Sequence, residues 1–355
     1  MTCKPVHWPW SIADSHMPKN VGRVMSTFAC GGGSSLGYKL AGFDVVAMNE
    51  IDERVAAVYL ANNQPDHQFI CSIRDLITAD LPEELFDLDI LDGSPPCTPF
   101  KTDAARDAYW GVEKKFMEGQ ADQRLDDLFF SFIELGARLR PKVMIAENVT
   151  GLIKGKARGY VQEIYKQMRA VGYEVQAFTL NAAFMGVAQK RRRVFFVARR
   201  QDLKLPPLEL EFNEKPITFA DVLKTLGVDA DPDESTRLSP HIESKWRGVK
   251  PGKPLSAARK DGDCGPGRAI ASRKRMSMNH TPWTLVGQHS MIHPVKPRYL
   301  TEQEWLAISS FPTDFDFNNE GKGMRQFFLG MSVPPLMMQR LALKIADQWG
   351  SVFGS

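Results

Sequence analysis

The chain has 355 residues, with 45 Lys and Arg against 42 Asp and Glu, and 43% of its residues are hydrophobic. This composition is typical of a globular protein, and no apolar run reaches the roughly 18 residues of a membrane-spanning helix. The first 20 residues lack the apolar segment of a secretory signal, and the five scattered cysteines have neither disulfide-framework nor zinc-site spacing. We therefore expect a cytoplasmic protein without a membrane partner or a bound metal.

Positive charge is concentrated in one part of the chain. Residues 237–298 contain 13 Lys and Arg against three acidic residues, whereas the rest of the chain contains 32 against 39. A basic segment in an otherwise acidic chain favours a polyanionic partner. The alternative is a solvated basic surface without a partner.

Residues 23–200 alternate short apolar runs, which predict strands, with patterns of helical spacing. The predicted strands are Val24–Phe28, Phe43–Met48, Phe69–Cys71, Leu88–Leu91, Val143–Ala146, Glu174–Leu180 and Val194–Ala198. The predicted helices are Ser34–Ala41, Asp52–Asn62, Gln123–Leu139 and Val161–Val171. Repeated β-α-β units with short connections predict an α/β fold, a doubly wound and mainly parallel sheet covered by helices on both faces.

The pattern changes after Arg200. Prolines interrupt it at Pro206 and Pro207, and residues 250–268 are rich in glycine, proline and basic residues, which indicates a loop-rich unit. Helical periodicity returns at Thr301–Ser310 and Pro335–Trp349. We expect an N-terminal tail (1–22), an α/β domain (23–200), a smaller loop-rich domain (201–297) and C-terminal helices that return to the α/β domain (298–355).

A glycine-rich loop, residues 28–37, joins the first predicted strand to the first helix. Glycines let a backbone approach a ligand closely, and a helix N-terminus offers unpaired N–H groups. Leu36 stands where the dinucleotide fingerprint needs its third glycine, which weakens an interpretation as a nicotinamide site. Glu50 ends the second strand, where it can accept bonds from ribose hydroxyls, and Asp75 follows the third. These features favour a nucleoside-bearing cofactor over a purely structural glycine turn.

The stretch Pro95-Pro96-Cys97 follows the fourth predicted strand. Ligands bind at the carboxyl ends of strands in open α/β sheets, and Pro95, Pro96 and Pro99 stiffen the loop that carries the thiol. Such a stiff loop suits a nucleophile, although single free cysteines are more often inert packing residues.

Charged residues follow two later strands. Glu147 ends the fifth strand, so we expect it to face the same crevice as Cys97, as an acid beside a nucleophile. Period-2 alternation puts Arg191 and Arg193 on one face of the last strand and Arg192 on the other. Two arginines near the crevice suit a phosphate or an extruded base. A capping role for Glu147 and a solvated basic turn are the alternatives.

In this order, the motifs resemble those of the DNA (cytosine-5) methyltransferase family of bacteria and phages. The resemblance covers most of the chain and rests on Phe28–Gly37, Glu50, Asp75, Pro95–Cys97, Glu147–Val149, Gln189–Arg193, Arg298–Thr301, Glu304, Phe311–Pro312 and Gly330–Pro335. The basic segment then coincides with the family's variable target-recognition region, and Thr284-Leu285 resembles a pair often found there. The departures are Cys30, Thr98, Lys101 and Met331, where the family usually has glycine, glutamine, serine and asparagine.

The resemblance implies a Rossmann-like enzyme that transfers a methyl group from S-adenosylmethionine to carbon 5 of a cytosine flipped out of a specific duplex DNA sequence, through a covalent adduct of Cys97. The implied catalytic residues are Cys97, Glu147, Arg191 and Arg193. The implied cofactor contacts are Phe28, Ala29, Cys30, Gly31, Gly32, Gly33, Glu50, Ile51, Asp75, Leu76, Pro96, Ser332 and Val333. The implied DNA contacts are Lys101, Gln189, Lys190, Arg273, Lys274 and Arg275.

The expected partner is double-stranded DNA, bound by a monomer that acts either with an independent cognate restriction endonuclease or as an orphan modification enzyme. Two alternatives stay open. Thr98, Lys101 and Met331 suggest a methyltransferase-like module that binds nucleic acid without catalysis. An RNA cytosine methyltransferase could share the scaffold, although the large basic segment favours an enzyme that reads duplex bases.

Overall fold

The computed structural model describes residues 4–16, 18–96, 128–153, 158–229, 231, 233–258, 273–286 and 291–354. Four residues discussed above, Cys97, Thr98, Pro99 and Lys101, lie outside the described residues, as does the beginning of the predicted helix Gln123–Leu139.

The centre of the molecule is a seven-stranded sheet with the strand order β3-β2-β1-β4-β5-β7-β6. The strands are β1 Arg23–Thr27, β2 Asp44–Glu50, β3 His67–Ile70, β4 Ile90–Gly93, β5 Val143–Val149, β6 Tyr173–Asn181 and β7 Arg192–Arg200. Neighbours among β1 to β5 pair in parallel, and β7 runs antiparallel to both β5 and β6. The predicted doubly wound, mainly parallel α/β fold is thus confirmed, and all seven predicted strands are present with ends shifted by at most three residues.

Side chains of the central strands alternate between two hydrophobic cores on opposite faces of the sheet. Val143 and Ile145 of β5 lie in one core, whereas Met144 and Ala146 lie in the other. All four are fully buried, which explains why β5 reads as a continuous apolar run rather than an alternating one.

Helices cover both faces. They are α1 Gly33–Leu40, α2 Glu53–Asn62, α3 Ile73–Thr78, α4 Leu128–Leu139, α5 Arg158–Ala170, α6 Phe219–Leu226, α7 Pro240–Arg247, α8 Glu302–Ser309, α9 Lys322–Met331 and α10 Pro335–Trp349. Helix α10 packs along α1 on the first face, and α3, α4 and α5 contribute to the core of the second. The prediction for α10 is confirmed with identical bounds, whereas α3, α6, α7 and α9 were not predicted.

Capping explains why two helices begin one residue later than predicted. The Asp52 carboxylate accepts hydrogen bonds from the N–H groups of Arg54 and Val55, so Asp52 is the N-cap of α2. Thr301 forms a capping box with Glu304 at the start of α8. Both residues have extended backbone angles and lie just outside the helix that they stabilise.

The segment after β7 is partly attached to the main core and partly a unit of its own. Leu208, Phe219 and Leu285 are buried in the first core of the sheet. A separate small cluster forms around Trp246, beside a second sheet with the order β10-β9-β8, in which the strands are β8 Lys253–Pro254, β9 Lys274–Arg275 and β10 Met291–Ile292. Short 3₁₀ turns occur at Ile12–Ser15, Glu83–Phe86, Thr150–Ile153, Ala182–Phe184, Gln201–Leu203, Leu255–Ala258 and Gly350–Val352. Among the described helices, none has the length and apolar character needed to cross a membrane.

Candidate active site

Glu50 organises the glycine-rich loop. One carboxylate oxygen accepts a hydrogen bond from the Cys30 N–H at 3.0 Å, and the other accepts from Ile51 at 2.9 Å and Asp52 at 3.2 Å. Burial raises the pKa of the Glu50 carboxyl, and these three N–H groups partly offset that increase. Because the oxygen bonded to Cys30 accepts only that bond among the described residues, Glu50 keeps capacity for a ligand hydroxyl.

The loop contains strained backbone. Phe28 and Cys30 have φ angles of 50° and 47°, and Gly32, the N-cap of α1, has a φ of 81°. Non-glycine residues in this left-handed region cost about 1–2 kcal/mol each and are concentrated at ligand sites. Cys30 is half-buried, and desolvation of its thiol raises the pKa to about 11. Its sulfur accepts a hydrogen bond from the Ser332 hydroxyl at 3.6 Å. That contact ties the loop to residues 331–333.

A narrow cleft lies between this loop, the carboxyl ends of β1 and β4, and residues 331–333. Its lining is Ser26, Thr27, Phe28, Ala29, Cys30, Gly33, Ser34, Asp92, Ser94, Met331, Ser332 and Val333. Six of the predicted cofactor residues are among them, namely Phe28, Ala29, Cys30, Gly33, Ser332 and Val333. Leu76 is buried in the second core instead, and Asp75 is exposed on the first turn of α3.

Gly33 allows the C-terminal segment to close this cleft. A Cβ at position 33 would lie 2.1 Å from the carbonyl oxygen of Val333 and 3.1 Å from the Cβ of Ser332. We expect Gly33→Ala to lower the free energy of unfolding by about 1–3 kcal/mol, measured by urea denaturation, because backbone must move to admit the methyl group.

The matched control is Gly323, which lies in the first turn of α9. A Cβ there would meet nothing within 4 Å. Gly323→Ala should therefore be neutral or stabilise the protein by up to about 1 kcal/mol. An equal loss of stability in the two variants would contradict the close approach at Val333.

Asp92 of β4 is a buried cleft residue that the sequence analysis did not select. Its side chain is 2% exposed and accepts hydrogen bonds from the Tyr38 hydroxyl at 3.2 Å and the Ser26 hydroxyl at 3.4 Å. Burial, together with the charge of Glu147, raises the pKa of Asp92 to about 7. The sequence signal that could have identified Asp92 is an acidic residue at the end of an otherwise apolar strand.

Glu147 and Arg193 form the charged pair of the site. They extend from the antiparallel neighbours β5 and β7, and Arg193 Nε lies 2.8 Å from Glu147 Oε1. Both side chains are largely buried. The arginine N–H does not point along the line to that oxygen, so Glu147 Oε1 makes no hydrogen bond within the described part of the chain. A buried carboxylate oxygen with spare capacity faces this region.

Asn148 holds the chain that leads to Cys97. Its side-chain amide donates a hydrogen bond to the carbonyl oxygen of Pro95 at 3.0 Å, and its Oδ1 accepts from the Val149 N–H. This contact fixes the Pro95-Pro96 segment beside the end of β5. Since Glu147 is the preceding residue of β5, the described structure brings Glu147, Arg193 and Pro95 to the same edge of the sheet.

Arg191, predicted to contact the base or a phosphate, is buried and bonded to backbone carbonyl groups. Its side chain is 1% exposed, and it donates hydrogen bonds to the carbonyl oxygens of Gly330 at 2.7 Å and Met331 at 3.1 Å. Burial lowers the pKa of this guanidinium, and the neighbouring Arg193 charge adds to the effect. Arg191 therefore holds residues 330–331, one of which lines the cleft, with its guanidinium close enough to Arg193 for the two charges to interact.

The two predicted DNA-contact residues just before β7 differ in their exposure. Gln189 is fully buried, where its amide oxygen accepts from the Leu285 N–H at 3.2 Å and its NH₂ group donates to Ile308 at 3.4 Å. It thus packs the Thr284-Leu285 pair against the catalytic core instead of reaching a DNA surface. Lys190 is exposed, and the Thr284 hydroxyl donates to its carbonyl oxygen at 2.7 Å.

The three basic residues at β9 are partly buried against aromatic rings. Arg275 lies 4.0 Å from the Trp246 ring and donates to the carbonyl oxygens of Trp246, Val249 and Pro294. Lys274 lies 5.1 Å from Trp283, and Arg273 lies 6.0 Å from Tyr299. These contacts fix Arg275 internally, whereas Lys274 and Arg273 keep their charged ends free of described ion pairs.

A carboxylate and histidine group lies apart from the cleft. Asp229, His293 and Glu304 bring oxygen and nitrogen atoms within 4.8 Å of one another. Arg298 donates to both oxygens of Glu304 and lies 3.1 Å from Asp229, so an arginine already supplies the positive charge. Burial and Arg298 lower the pKa of His293 to about 4.

The sheet order, with β7 antiparallel between β5 and β6, and the cleft at the carboxyl end of β1 define a Rossmann-like methyltransferase architecture. Comparison with known proteins identifies the family. Residues 22–347 match the model of the C-5 cytosine-specific DNA methylases, and the chain belongs to this family.

Individual relatives agree with this assignment. The chain is 33% identical over 350 residues to the Type II methyltransferase M.NgoPII of Neisseria gonorrhoeae, covering 91% of this chain and 95% of that protein. It is 28% identical to M.DdeI of Desulfomicrobium norvegicum, covering 91% and 88%. The resemblance inferred from the sequence is confirmed, and the protein is a DNA cytosine-5 methyltransferase.

Solved structures share the fold. A candidate DNA modification methyltransferase from an Escherichia coli prophage superposes with a TM-score of 0.67 at 20% identity, covering 92% of this chain and 99% of that chain. A mutant of Spodoptera frugiperda DNMT2 gives a TM-score of 0.62 at 17% identity, covering 92% and 99%.

Proposed function

We propose that this enzyme flips a cytosine out of a specific duplex DNA sequence and methylates carbon 5 through a covalent Cys97 adduct, with S-adenosylmethionine as the methyl donor. The observation that carries the proposal is the arrangement at the carboxyl edge of β5. Among the described residues, one buried oxygen of Glu147 has no hydrogen bond, Arg193 lies 2.8 Å from it, and Asn148 holds Pro95, two residues before Cys97.

Three features in and beside the cleft support this cofactor. Gly33 has no side chain where Val333 approaches, the first turn of α1 presents N–H groups without intrahelical acceptors, and Glu50 retains an acceptor site for a ribose hydroxyl. Ser332 and Phe28 would complete the cradle. When bound, S-adenosylmethionine supplies an electrophilic methyl group on a sulfonium ion.

Cys97 would supply the nucleophile. Carbon 5 of cytosine is weakly nucleophilic, and addition of a thiolate to carbon 6 turns carbon 5 into an enamine-like centre. A free thiol has a pKa of about 8.5, so only a few per cent is ionised at neutral pH. Positive charge from Arg193 would increase the fraction of Cys97 that is ionised, and the proline-stiffened loop would hold that thiolate beside the base.

Glu147 would hold the pyrimidine during this addition. Its carboxyl group would bond N3 and the exocyclic amine, and a proton held at N3 would neutralise the charge that develops on the ring. After carbon 5 takes the methyl group, loss of the carbon 5 proton to a base and expulsion of the Cys97 thiolate restore the aromatic ring. Arg193 would keep Glu147 in place throughout.

Extruding the base costs a few kcal/mol, which phosphate contacts of the basic segment would offset. We expect duplex affinity to fall about 10³-fold between 50 and 200 mM salt, as for about six phosphate contacts. Exposed Lys190 lies two residues before β7 and pairs with Trp283 of this segment. Lys190→Ala should therefore make the negative slope of log K against log salt shallower by about one.

The control for this titration is Lys204, an exposed lysine beyond the opposite end of β7. Lys204→Ala should leave the slope unchanged. Fluorescence anisotropy with one labelled duplex measures the affinity of all three proteins at each salt concentration. Equal slopes for Lys190→Ala and the unaltered protein would contradict the phosphate contact.

The experiment that tests the proposed function is expression in a methylation-free bacterial host, followed by bisulfite sequencing. The expected result is methylcytosine at one short sequence motif. An absence of methylcytosine, with folded protein present, would overturn it. Methyl transfer to tRNA and not to duplex DNA in the purified reaction would instead support the RNA alternative.

A further inference from the structure

Asp92 is a buried carboxylate without a cationic partner in the described part of the chain. The groups that donate to it are neutral hydroxyls, from Tyr38 of α1 and Ser26 of β1, with Ser34 of α1 close enough to contribute. No described Lys or Arg forms an ion pair with it. Buried carboxylates are normally paired with a cation, because hydroxyls replace only part of the lost hydration.

The position of Asp92 suggests where a cation would come from. Asp92 lines the cleft together with Ser332 and Val333, and it lies near the first turn of α1. The charge of Glu147 acts on it, and that charge is also negative. The cleft lining therefore combines a buried carboxylate with the hydroxyls of Ser26, Thr27 and Ser34 and offers no described cationic side chain. A carboxylate surrounded by hydroxyls is complementary to an ammonium group, such as that of an amino acid.

We propose that Asp92 accepts a hydrogen bond from the α-ammonium group of S-adenosylmethionine and of its product, S-adenosylhomocysteine, and so determines affinity for the amino-acid end of the cofactor. This inference rests on the proposed use of that cofactor. It adds to the site a residue outside the motifs on which the resemblance rests, since Asp92 lies within β4, three residues before Pro95.

The protonation of Asp92 gives this contact a pH signature. The titratable groups that face it are Tyr38 from α1, Tyr59 from α2 and Glu147 from β5. Burial raises the pKa of Asp92 to about 7, while the bonds from Tyr38 and Ser26 lower it. An ammonium group stabilises the ionised form, so binding lowers this pKa and releases a proton near neutral pH. Affinity should consequently rise between pH 6 and pH 8.

The test is isothermal titration calorimetry with two ligands. S-adenosylhomocysteine carries the α-ammonium group, whereas 5′-methylthioadenosine retains the nucleoside and thioether but lacks the amino-acid end. We expect Asp92→Asn to weaken the binding of S-adenosylhomocysteine about 10- to 100-fold, as for the loss of a charged hydrogen bond. The affinity for 5′-methylthioadenosine should stay within about twofold of that of the unaltered protein. Titration in buffers of different ionisation enthalpy should show proton release with the unaltered protein and none with the variant.

Tyr38→Phe is the second variant. It keeps the carboxylate but removes a hydroxyl that lowers the Asp92 pKa, so the rise of affinity for S-adenosylhomocysteine should move to higher pH. Equal weakening of both ligands by Asp92→Asn, or an unchanged affinity for S-adenosylhomocysteine, would overturn the inference while leaving the proposed function intact. Failure of the folded, unaltered protein to bind either ligand would instead contradict the proposed function.

Discussion

Duplex DNA that carries 5-fluorocytosine at the target position should trap this enzyme as a covalent complex in the presence of S-adenosylmethionine. After methyl transfer, expulsion of Cys97 requires loss of the carbon 5 proton, and a base cannot remove fluorine in its place. The adduct should therefore survive a denaturing gel. Cys97→Ser should abolish it and lower methyl transfer by about 10³-fold or more, because a serine hydroxyl is a far weaker nucleophile than a thiolate.

The matched control is Cys71, a half-buried thiol just beyond β3 at the same edge of the sheet. Burial raises the pKa of Cys71, and the charge of Asp75 adds to that increase, so it is a poor nucleophile. Cys71→Ser should keep both the adduct and the activity. An adduct that persists in Cys97→Ser, or folded protein that forms none at any salt concentration, would contradict the covalent route.

The central sheet was predictable because short stretches of sequence are enough to mark its strands. Apolar runs such as Leu88–Leu91 and Val143–Ala146 are long enough to mark a strand buried on both faces, and helices between them require parallel pairing. The reversal of β7 was not predictable in this way. No helix separates β6 from β7, but a short connection alone does not say that β7 inserts between β5 and β6.

Short helices were missed for a related reason. Helix α3 has six residues and buries only Ile73 and Leu76, which is too few apolar positions for a period to be recognised. Helix α7 has a net polar sequence with Ile242 and Trp246 as its buried residues. Both depend on tertiary contacts that the sequence does not display.

In the site, the sequence could not predict the direction in which each side chain points. Alternation places Arg191 and Arg193 on one face of an ideal strand, yet β7 begins at Arg192, so Arg191 lies outside the ladder. There its guanidinium is free to turn toward residues 330–331, which are about 140 positions away in sequence. Asp92 was overlooked because its burial under Tyr38 depends on how α1 packs on β4.

Glu147→Gln should lower the rate of methyl transfer by about 10²- to 10³-fold, since an amide holds the exocyclic amine of cytosine but cannot keep a proton at N3. Cys97 is retained, so the 5-fluorocytosine adduct should form slowly rather than be absent. Single-turnover kinetics at saturating DNA separates this effect from weaker binding.

The control is Glu174, an exposed residue of β6 that pairs with Arg199. This pair joins neighbouring strands, as Glu147 and Arg193 do, but it lies at the opposite edge of the sheet. Glu174→Gln should leave the rate within about twofold. A comparable loss in both variants would mean that a general weakening of the sheet, and not proton transfer at N3, explains the Glu147 result.

A double-mutant cycle then decides how Arg193 acts. If Arg193 serves only to hold Glu147, as the 2.8 Å ion pair indicates, Arg193→Met should cost activity in the unaltered enzyme and almost nothing in the Glu147→Gln background. If Arg193 instead contacts the extruded base or its phosphate, the two losses should add. The same cycle measured on the free energy of unfolding shows whether the pair contributes to stability, where removing one buried charge and leaving the other is the costly change.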